Sequence, residues 1–411
     1  MTVRFAPAVR ALAHRNFRLY FSGQAVSVVG SWIQQVALSW LVYRLTGSAA
    51  LLGVTAFCSL IPQLLVGPFA GAWIDRRDKK KWLIGVQCLL ALQAFVMAFL
   101  CWIDWISPAF ILVMSVCLGV LNSFDTPLRQ SLIGSFVAHR EDLPNALALN
   151  AMLFNSGRFI GPPIAGLLLG LTSESVCFAL NGFSFLALLT ALLIVRSDAP
   201  PKARGSIGEV FKEGVVYAWK TWTVRILILT LIVVNLTASS YAVLLPVFAR
   251  DVFAGDARTL GWLWGAAGCG AFASTVYLTS RTHRQLLDSV VAGTGISAAS
   301  LLLFASTRSL PLALCSMAGV GFGISVCNVG INMLLQSTSP EHLRGRVVSF
   351  FTSTRFGFDA LGGLFAGFIA TRLGVQPTLW ISGGVLVMFV GFLMTRRNRL
   401  QALAGAKAHT S

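Results

Sequence analysis

The sequence predicts an all-α membrane protein with twelve transmembrane helices in two six-helix, pseudo-symmetric bundles. Three observations lead to this prediction: an apolar composition, long apolar stretches that recur along the chain, and a repeat that relates the two halves. Of the 411 residues, 56% are hydrophobic and only 11% are charged, whereas soluble globular domains carry about 25% charged residues. Such a chain cannot cover its core with polar surface, which excludes a soluble enzyme, a disordered protein and a disulfide-stapled secreted module.

Apolar stretches that reach the roughly 20 residues needed to cross a bilayer occur throughout the chain. Their predicted bounds are 17–43, 50–74, 82–104, 109–136, 143–171, 176–195, 224–250, 258–280, 286–306, 310–336, 343–372 and 376–395. The residues before the first stretch are basic and poorly apolar, and no small-residue cleavage pattern follows it. The first stretch is therefore predicted to remain as a helix rather than to be removed as a signal peptide.

The Lys and Arg residues predict the orientation of the chain in the membrane. They number 32 against 15 Asp and Glu, which gives a net charge of +17. With the N-terminus placed in the cytoplasm, 24 of the 32 fall in predicted cytoplasmic segments and five on the opposite side. Since cytoplasmic loops are enriched in Lys and Arg, both termini are predicted to be cytoplasmic. The positive charge is explained by the membrane, so no nucleic-acid partner is expected.

The longest polar interval separates six predicted spans from six. The predicted units are an N-terminal bundle (1–198), a cytoplasmic linker (199–223) and a C-terminal bundle with a short basic tail (224–411). In the linker, Ser206 and Glu209 form a capping-box pattern ahead of apolar residues at helical spacing. This pattern predicts an amphipathic helix in the membrane interface that tethers the two halves.

A repeat supports the division into halves. Leu143 and Gly157 recur 200 positions later as Leu343 and Gly357, within stretches that share further small residues. Two halves in the same orientation indicate a parallel repeat about an axis along the membrane normal.

The residues that carry catalytic and metal chemistry do not cluster in this sequence. The eight cysteines lie in apolar runs without a CxxC pair, and the histidines lie in polar connecting segments without metal-ligand spacing. No glycine is followed by lysine, so the phosphate-binding loop of ATP-driven proteins is missing. We therefore expect no enzyme, no catalytic residues, no metal, no cofactor and no use of ATP.

A short motif, GAWIDRRDKKK, stands between the second and third spans. Its candidate functional residues are Gly71, Asp75, Arg76 and Lys80. Glycine permits a tight turn at a helix end, and an Asp in a short loop can bond the N–H groups of a neighbouring helix N-terminus. The motif resembles the cytoplasmic loop motif of the major facilitator superfamily, with Trp73 and Asp78 as departures. We expect Asp75 to lie near the start of the eleventh helix and to help close a cavity there.

A second motif occupies the predicted fifth span. Its candidate residues are Gly157, Gly161, Pro162 and Gly166. Small residues four apart allow close helix packing, and proline bends a helix. The pattern resembles the antiporter motif of drug-efflux branches, with Ala165 in place of one glycine; an ordinary packing face is the alternative.

Taken whole, the chain resembles the third drug:proton antiporter family, the branch with enterobactin exporters and macrolide efflux pumps. The resemblance covers nearly the full length and includes NFRL after Arg15, the segment LVYRLTGS, and DTPLRQ from Asp125. It implies twelve helices with the major facilitator fold, alternating access and secondary transport.

Charged side chains within the predicted spans are candidates for coupling, because charge is costly in a bilayer and is usually paired or functional there. They are Asp125, Arg129, Arg158, Arg355 and Asp359. Asp125 and Arg158 lie at similar depth on antiparallel neighbours, so we expect them to pair. Arg355 and Asp359 are four residues apart and can pair on one helix. Structural ion pairs are the alternative to proton or substrate coupling.

Polar residues of the spans are candidates for a central substrate cavity, or else form hydrogen bonds between helices. They are Gln34, Gln35, Asn122, Asn235, Tyr241 and Asn328. Many proton-coupled drug exporters carry an acid in the first span, where this chain offers only Gln34 and Gln35.

The sequence thus predicts a monomeric, multi-pass exporter of the bacterial cytoplasmic membrane for small amphipathic molecules, drug-like or siderophore-like. We expect it to work by proton antiport, with the proton gradient as its energy source and the lipid bilayer and a small molecule as its partners. The alternatives are an importer or lipid flippase of the same fold, or a membrane sensor that does not transport.

Overall fold

The structure is a computed structural model that describes residues 7–74, 77–195, 221–238, 240–339 and 341–408, and every element in these ranges is helical. The principal helices are α1 (Arg15–Thr46), α2 (Ala49–Leu65), α3 (Gly67–Ile74), α4 (Lys79–Trp102), α5 (Pro108–Leu132), α6 (Leu143–Leu171), α7 (Glu174–Ile194), α8 (Trp222–Ala238), α9 (Ser240–Val247), α10 (Ala257–Thr279), α11 (His283–Ser306), α12 (Leu310–Thr338), α13 (Glu341–Leu373) and α14 (Val375–Ala408). Short turns of other helix types occupy Pro7–Ala13, Ile133–Ser135, Arg140–Asp142 and Phe248–Val252. The predicted amphipathic helix of the linker lies outside the described residues.

Nine helical segments in the described ranges are long and apolar enough to cross a membrane. The segments outside this set are α2 with α3, α6 and α10. Helix α2 has only 17 residues, while α6 carries Pro162 and Pro163, and α10 carries Gly261, Gly265 and Gly268. These same helices make the closest contacts between the two parts of the chain, where small residues are needed.

The structure divides the predicted span over 50–74 into α2 and α3, with an interruption at Val66. Helix α2 ends at Leu65, and Pro68 stands in the first turn of α3. Proline has no N–H to continue the hydrogen-bond ladder and clashes with the preceding turn. The predicted span 143–171 coincides with α6, whereas 224–250 is divided among α8, α9 and the turn Phe248–Val252, and α14 runs beyond 376–395 to Ala408.

For clarity, residues 7–195 are called the N-terminal half and residues 221–408 the C-terminal half. In the N-terminal half, α1 packs on α6 and α7, and α4 packs on α5 and α7. In the C-terminal half, α12 packs on α10 and α11, and α14 packs on α8 and α11. The halves meet mainly where α2 packs on α13 and α6 packs on α10.

The two ends of the helices differ in how the halves pack together. We call the end with Thr46 and Glu174 the distal end, and the end with Arg15 and Leu143 the proximal end. Buried residues of the N-terminal half near the distal end, from Ile33 to Leu52, belong to one apolar core with the C-terminal half. Those near the proximal end form a separate core that contains N-terminal residues alone. Within the described residues, the halves therefore share a core at the distal end and separate cores at the proximal end.

Large apolar side chains cover much of the outer surface. Leu92, Phe183, Leu193, Phe365 and Met388 are among those that are at least half exposed. Soluble monomers rarely expose so much contiguous apolar surface. A lipid environment explains it, because hydrocarbon solvates these side chains while the helices satisfy their own backbone groups.

Candidate functional site

A cluster of ionisable side chains lies between the halves, midway along the helices that carry it. Nη2 of Arg158, on α6, donates a hydrogen bond to Oη of Tyr241, on α9, over 3.1 Å. Arg355 and Asp359 stand one turn apart on α13, and the Asp359 carboxyl interacts electrostatically with both arginines. Arg158, Arg355 and Asp359 each keep some accessible surface at this depth. The cluster thus brings together three sequence-predicted coupling candidates and one cavity candidate.

Two tryptophans pack beside this cluster. The ring centroid of Trp264, on α10, lies 5.9 Å from that of Tyr241 and 6.0 Å from that of Trp32, on α1. These three rings come from both halves, so they form an aromatic wall where the halves meet. Sequence reasoning missed Trp32 and Trp264, although an aromatic residue near the middle of a span that also carries glycines was a usable signal.

Three buried N–H groups of the cluster have no hydrogen-bond partner among the described residues. They are Nε of Arg158, Nε of Arg355 and Nε1 of Trp264. Buried donors are normally satisfied, and a donor without an acceptor costs free energy. This part of the structure is therefore rich in unused donors that an acceptor on a bound molecule could satisfy.

The predicted pair between Asp125 and Arg158 is wrong. Asp125 accepts a hydrogen bond from Nε of Arg129 over 2.7 Å, one turn along α5, and another from Nε2 of Gln87 over 2.5 Å. Nη2 of Arg129 also reaches Ser27. Arg158 points away from this group, towards Tyr241 in the other half. The i,i+4 spacing of Asp125 and Arg129 was the sequence signal for the true pair.

This second charged group is sealed inside the N-terminal half. Asp125 is 8% exposed and Arg129 5% exposed. Their partners lie on α1, α4 and α5. A buried ion pair of this kind needs good geometry to offset its desolvation, and here the added hydrogen bonds supply it. Its location fits a structural role in holding the N-terminal helices together.

Three of the six predicted cavity residues form hydrogen bonds between helices of one half. Gln34 is buried, donates to Gln93 over 3.1 Å and accepts from Asn181 over 2.7 Å, all within the N-terminal half. Asn235 donates to Asn328 over 3.0 Å within the C-terminal half. Of the remaining candidates, Gln35 is exposed, Asn122 is partly exposed, and Tyr241 alone belongs to the central cluster.

The loop motif is only partly described. Gly71 lies in α3, while Asp75 and Arg76 fall outside the described residues. Lys80 donates from Nζ to the carbonyl oxygen of Val195, just beyond the end of α7, over 2.5 Å. A cation at the C-terminus of a helix is favoured by the helix dipole. Lys80 thus joins two helices of one half rather than the two halves.

Asp78, a departure from the superfamily motif, has a clear local role. Its carboxylate accepts hydrogen bonds from the backbone N–H groups of Lys80 and Lys81 and so caps the start of α4. At the start of α11, the backbone N–H of Thr282 donates to the side-chain oxygen of Gln285 over 3.0 Å. Side-chain caps satisfy backbone N–H groups that a helix leaves open.

The antiporter-like motif packs against two different neighbours. A Cβ on Gly157 would lie 2.4 Å from Val28, and one on Gly161 would lie 2.5 Å from Cβ of Trp32, both on α1. Gly166 instead faces Ala257 and Gly261 at the start of α10. The motif therefore places α6 in contact with α1 in its own half and with α10 in the other.

Polar bonds also hold the distal end together. Oη of Tyr43, at the end of α1, donates to Asp251 of the C-terminal half. Nη2 of Arg258 donates to the carbonyl oxygen of Gly170 over 3.2 Å and so joins α10 to α6. Within the N-terminal half, Arg44 pairs with Glu174 over 2.7 Å. Both of the bonds between halves would have to break for the distal end to open.

Known proteins resemble this chain in sequence and in fold. The profile of the transmembrane secretion effector family, within the major facilitator superfamily, matches residues 4–411. The chain belongs to this family. Membership confirms the resemblance found in the sequence, and it makes the protein a multi-pass membrane transporter rather than an enzyme.

The chain is similar to curated proteins over nearly their full lengths. It is 24% identical over 407 residues to the staphyloferrin A transporter of Staphylococcus aureus, covering 93% of this chain and 97% of that protein. It is 25% identical over 388 residues to the multidrug efflux pump Tap of Mycolicibacterium fortuitum, covering 91% and 93%. It is 22% identical over 392 residues to macrolide efflux protein A of Streptococcus pyogenes, covering 91% and 95%.

Solved structures share the fold of this chain. The nucleoside transporter NupG aligns with a TM-score of 0.71 at 14% identity, covering 92% of this chain and 98% of that chain. A POT family transporter in complex with a thioalcohol-conjugated peptide aligns with a TM-score of 0.73 at 13% identity, covering 94% and 96%. At these identities the likeness concerns the fold alone.

Proposed function

We propose that this protein is a secondary exporter of small amphipathic molecules in the bacterial cytoplasmic membrane. In this proposal twelve spans form two six-helix halves, with bundles at 1–198 and 224–411 joined by a linker at 199–223. The observation that carries the proposal is the packing of the halves, which share one core at the distal end and have separate cores at the proximal end. A charged and aromatic cluster lies between these ends, where a transported molecule would pause.

The charge of the chain supports an orientation for this cycle. Lys79, Lys80 and Lys81 begin α4 at the proximal end, and the distribution of Lys and Arg favours a cytoplasmic location for that end. Both termini are then cytoplasmic. In this proposal the structure is a state that opens towards the cytoplasm, in which an exporter takes up its cargo.

Export then requires the halves to rock about the central cluster. The proximal ends of α2, α6, α10 and α13 would come together, and the distal contacts would separate. The bonds from Tyr43 to Asp251 and from Arg258 to Gly170 are single hydrogen bonds, each worth about 1 kcal/mol, so their loss costs little. The glycine-lined helix crossings offer smooth surfaces that can slide without interlocking side chains.

We propose that the exchange partner is the proton and that no cofactor takes part. Asp125 and Asp359 are carboxyl groups that lie well inside the spans and can take up a proton. Asp359 is partly exposed between the halves, so water can reach it from either side in turn, whereas Asp125 is enclosed by α1, α4 and α5. Asp359 is therefore the better candidate for proton exchange. We expect the protein to act as a monomer.

The names of the relatives guide the choice of first substrates. They include a siderophore transporter, a multidrug efflux pump and a macrolide efflux protein. The protein should therefore be expressed in a bacterial strain that lacks its own macrolide exporters, and the accumulation of labelled erythromycin should be measured. Lower accumulation than with empty vector supports export; higher accumulation indicates import instead.

Proton coupling needs a separate experiment on purified protein. Proteoliposomes that contain a pH-sensitive dye report proton movement when a transported substrate is added. We expect substrate-dependent proton movement with the native chain and with Asp104→Asn, an exposed control, and its loss with Asp359→Asn. Substrate movement that ignores an imposed pH gradient would reject proton antiport, and loss in Asp125→Asn alone would reassign the proton site.

A further inference from the structure

We propose that the central cluster binds the anionic group of the cargo, a carboxylate or phosphate carried on an apolar or aromatic body. The inference rests on the proposed function, because it treats the ligand of this cluster as a transported molecule. The cluster consists of Arg158, Tyr241, Arg355 and Asp359, with Trp264 and Trp32 beside it. The charge, the hydrogen bonds and the packing of these residues each favour an anionic ligand.

The central cluster carries more positive than negative charge. Two guanidinium groups face a single carboxyl group, and the remaining neighbour that interacts with Arg355 is the neutral phenol of Tyr241. With Asp359 ionised, the cluster carries a net charge of +1 at the middle of the membrane-spanning region. Uncompensated charge at that depth is expensive, so an anion that enters the cluster is strongly favoured over a cation.

The cluster also contains N–H donors that make no hydrogen bond within the described residues. Nε of Arg158, Nε of Arg355 and Nε1 of Trp264 are all buried and have no acceptor within the described residues. Carboxylate and phosphate oxygens are acceptors only, and they match the planar donor fork of a guanidinium. An anion placed between the arginines would satisfy donors that the protein itself leaves open.

The hydrogen bonds of Arg129 differ from those of Arg158 and Arg355. Arg129 is also buried in a span, but its Nε is bonded to Asp125 and its Nη2 to Ser27 and Gln87. The chain is therefore able to provide an acceptor for the Nε of an intramembrane arginine. At Arg158 and Arg355 it does not, and these are the arginines that lie between the halves.

The aromatic wall lies beside the charged groups of the cluster. The ring of Trp264 is tilted by 58° to that of Trp32 and by 56° to that of Tyr241, with centroids 6.0 and 5.9 Å away. These rings offer an apolar surface next to the arginines, contributed by both halves. A molecule with an anionic group at one end and an aromatic or aliphatic body would contact both the charged and the apolar parts of the cluster.

Asp359 sets the strength of such a site. Its ionised carboxylate competes with the anion for the same two guanidinium groups, so removal of its charge should tighten anion binding. An anion that leaves the cell also moves down the inside-negative membrane potential. The inference therefore does not depend on which carboxyl group exchanges the proton.

The test uses four probes that share one ring system and differ in the polar group: 2-naphthoate, 2-naphthyl phosphate, 2-naphthamide and 2-naphthylmethylammonium. Binding to the purified full-length protein in detergent is measured by equilibrium dialysis against protein-free micelles. We expect either anion to bind at least about tenfold more tightly than the neutral amide, the scale of a hydrogen bond to a charged group. The two anions together show whether carboxylate or phosphate is preferred.

Variants assign the binding to the cluster. Arg158→Gln and Arg355→Gln should each abolish the preference for the anion, Arg158→Lys and Arg355→Lys should retain part of it, and Asp359→Asn should raise anion affinity several-fold. The matched control is Arg281→Gln, because Arg281 also has a buried Nε without a partner but lies beyond the end of α10, away from the cluster. If a Gln variant does not fold, the Lys variant and Asp359→Asn still decide the question.

Three results would overturn the inference: equal affinity for anion and amide, a preference for the ammonium probe, or no detectable binding of any probe. Export of erythromycin without anion binding would reject this inference and leave the proposed function intact. Anion binding without export of any substrate would reject the proposed function and leave the assignment of an anion site to the cluster intact.

Discussion

Gly166 on α6 and Gly261 on α10 lie in direct backbone contact across the two halves. A Cβ on Gly166 would stand 3.0 Å from Cα of Gly261, and one on Gly261 would stand 2.9 Å from Cα of Gly166. The same relationship joins Gly53 on α2 to Gly367 on α13, at 3.2 and 3.0 Å. Two such crossings at the distal end are related by the internal repeat, and both allow the helices to close completely there.

The first prediction concerns closure of the distal end. Gly166→Ala places a methyl group against the α10 backbone, which cannot move aside as a side chain can. Overpacking of this kind costs about 1–3 kcal/mol, so the distal-closed state should lose about tenfold in population and export should fall. The measurement is substrate export at equal amounts of protein in the membrane.

The matched control for this prediction is Gly384→Ala, because a Cβ at Gly384 meets open space. It should transport normally. Equal export by the two variants would show that the crossing is not needed for closure.

The second prediction concerns the bond between Tyr43 and Asp251. Tyr43→Phe removes the hydroxyl donor and leaves the packing of the ring unchanged. A bond of this kind contributes about 1 kcal/mol, so the distal end should open roughly fivefold more often. Opening can be followed in a cysteine-free variant with Trp32→Cys as the reporter, labelled by a membrane-impermeant maleimide from the distal side.

Tyr20→Phe is the control for that experiment. Tyr20 is on the same helix, and its Oη has no hydrogen-bond partner in the described part of the chain. Its removal should leave the labelling rate unchanged. If Tyr43→Phe also leaves the rate unchanged, the Tyr43–Asp251 bond does not hold the distal end.

A third prediction separates a structural ion pair from a coupling site. Asp125→Asn and Arg129→Gln should each reduce the stability of the protein in detergent by about 3–5 kcal/mol, because each leaves one buried charge without its partner. The double variant should lose less than the sum of the two. Thermal unfolding of the three variants measures this; strictly additive losses would contradict a direct pair.

The fourth prediction concerns pH and the proximal end. Asp142 accepts a hydrogen bond from His14 over 2.8 Å and pairs with Arg10. The His14 bond, with help from Arg10, lowers the pKa of Asp142 below its ordinary value of 3.8. A carboxyl group with a lowered folded-state pKa stabilises the protein above its ordinary pKa, and this contribution disappears as the pH falls through the lower value.

Asp142→Asn should therefore lower the unfolding temperature at neutral pH and make no difference well below pH 3.8. Asp104→Asn is the control, since Asp104 is exposed and away from this cluster. A difference between Asp142→Asn and the native chain that persists at the lowest pH would argue against the ion pair as its cause.

Depth in the membrane was predictable from the sequence at most positions. Arg158 and Asp359 were expected near the middle of their spans, and they lie there because each helical residue advances by a fixed rise. Rotation about the helix axis was not predictable in the same way. Asp125 and Arg158 do lie on different helices of one half, but their side chains face different neighbours, so the expected pair does not form.

Composition and charge placement by themselves determined that this chain is a helical membrane protein and predicted its orientation, because hydrocarbon thickness and the bias of positive loops act on linear sequence. Only the tertiary structure decided which charges are satisfied. Arg129 finds Asp125, Gln87 and Ser27 within one half, whereas Arg158 and Arg355 meet Asp359 between the halves with donors to spare. That distinction depends on how two separate bundles face each other, and such long-range packing leaves no local pattern in the sequence.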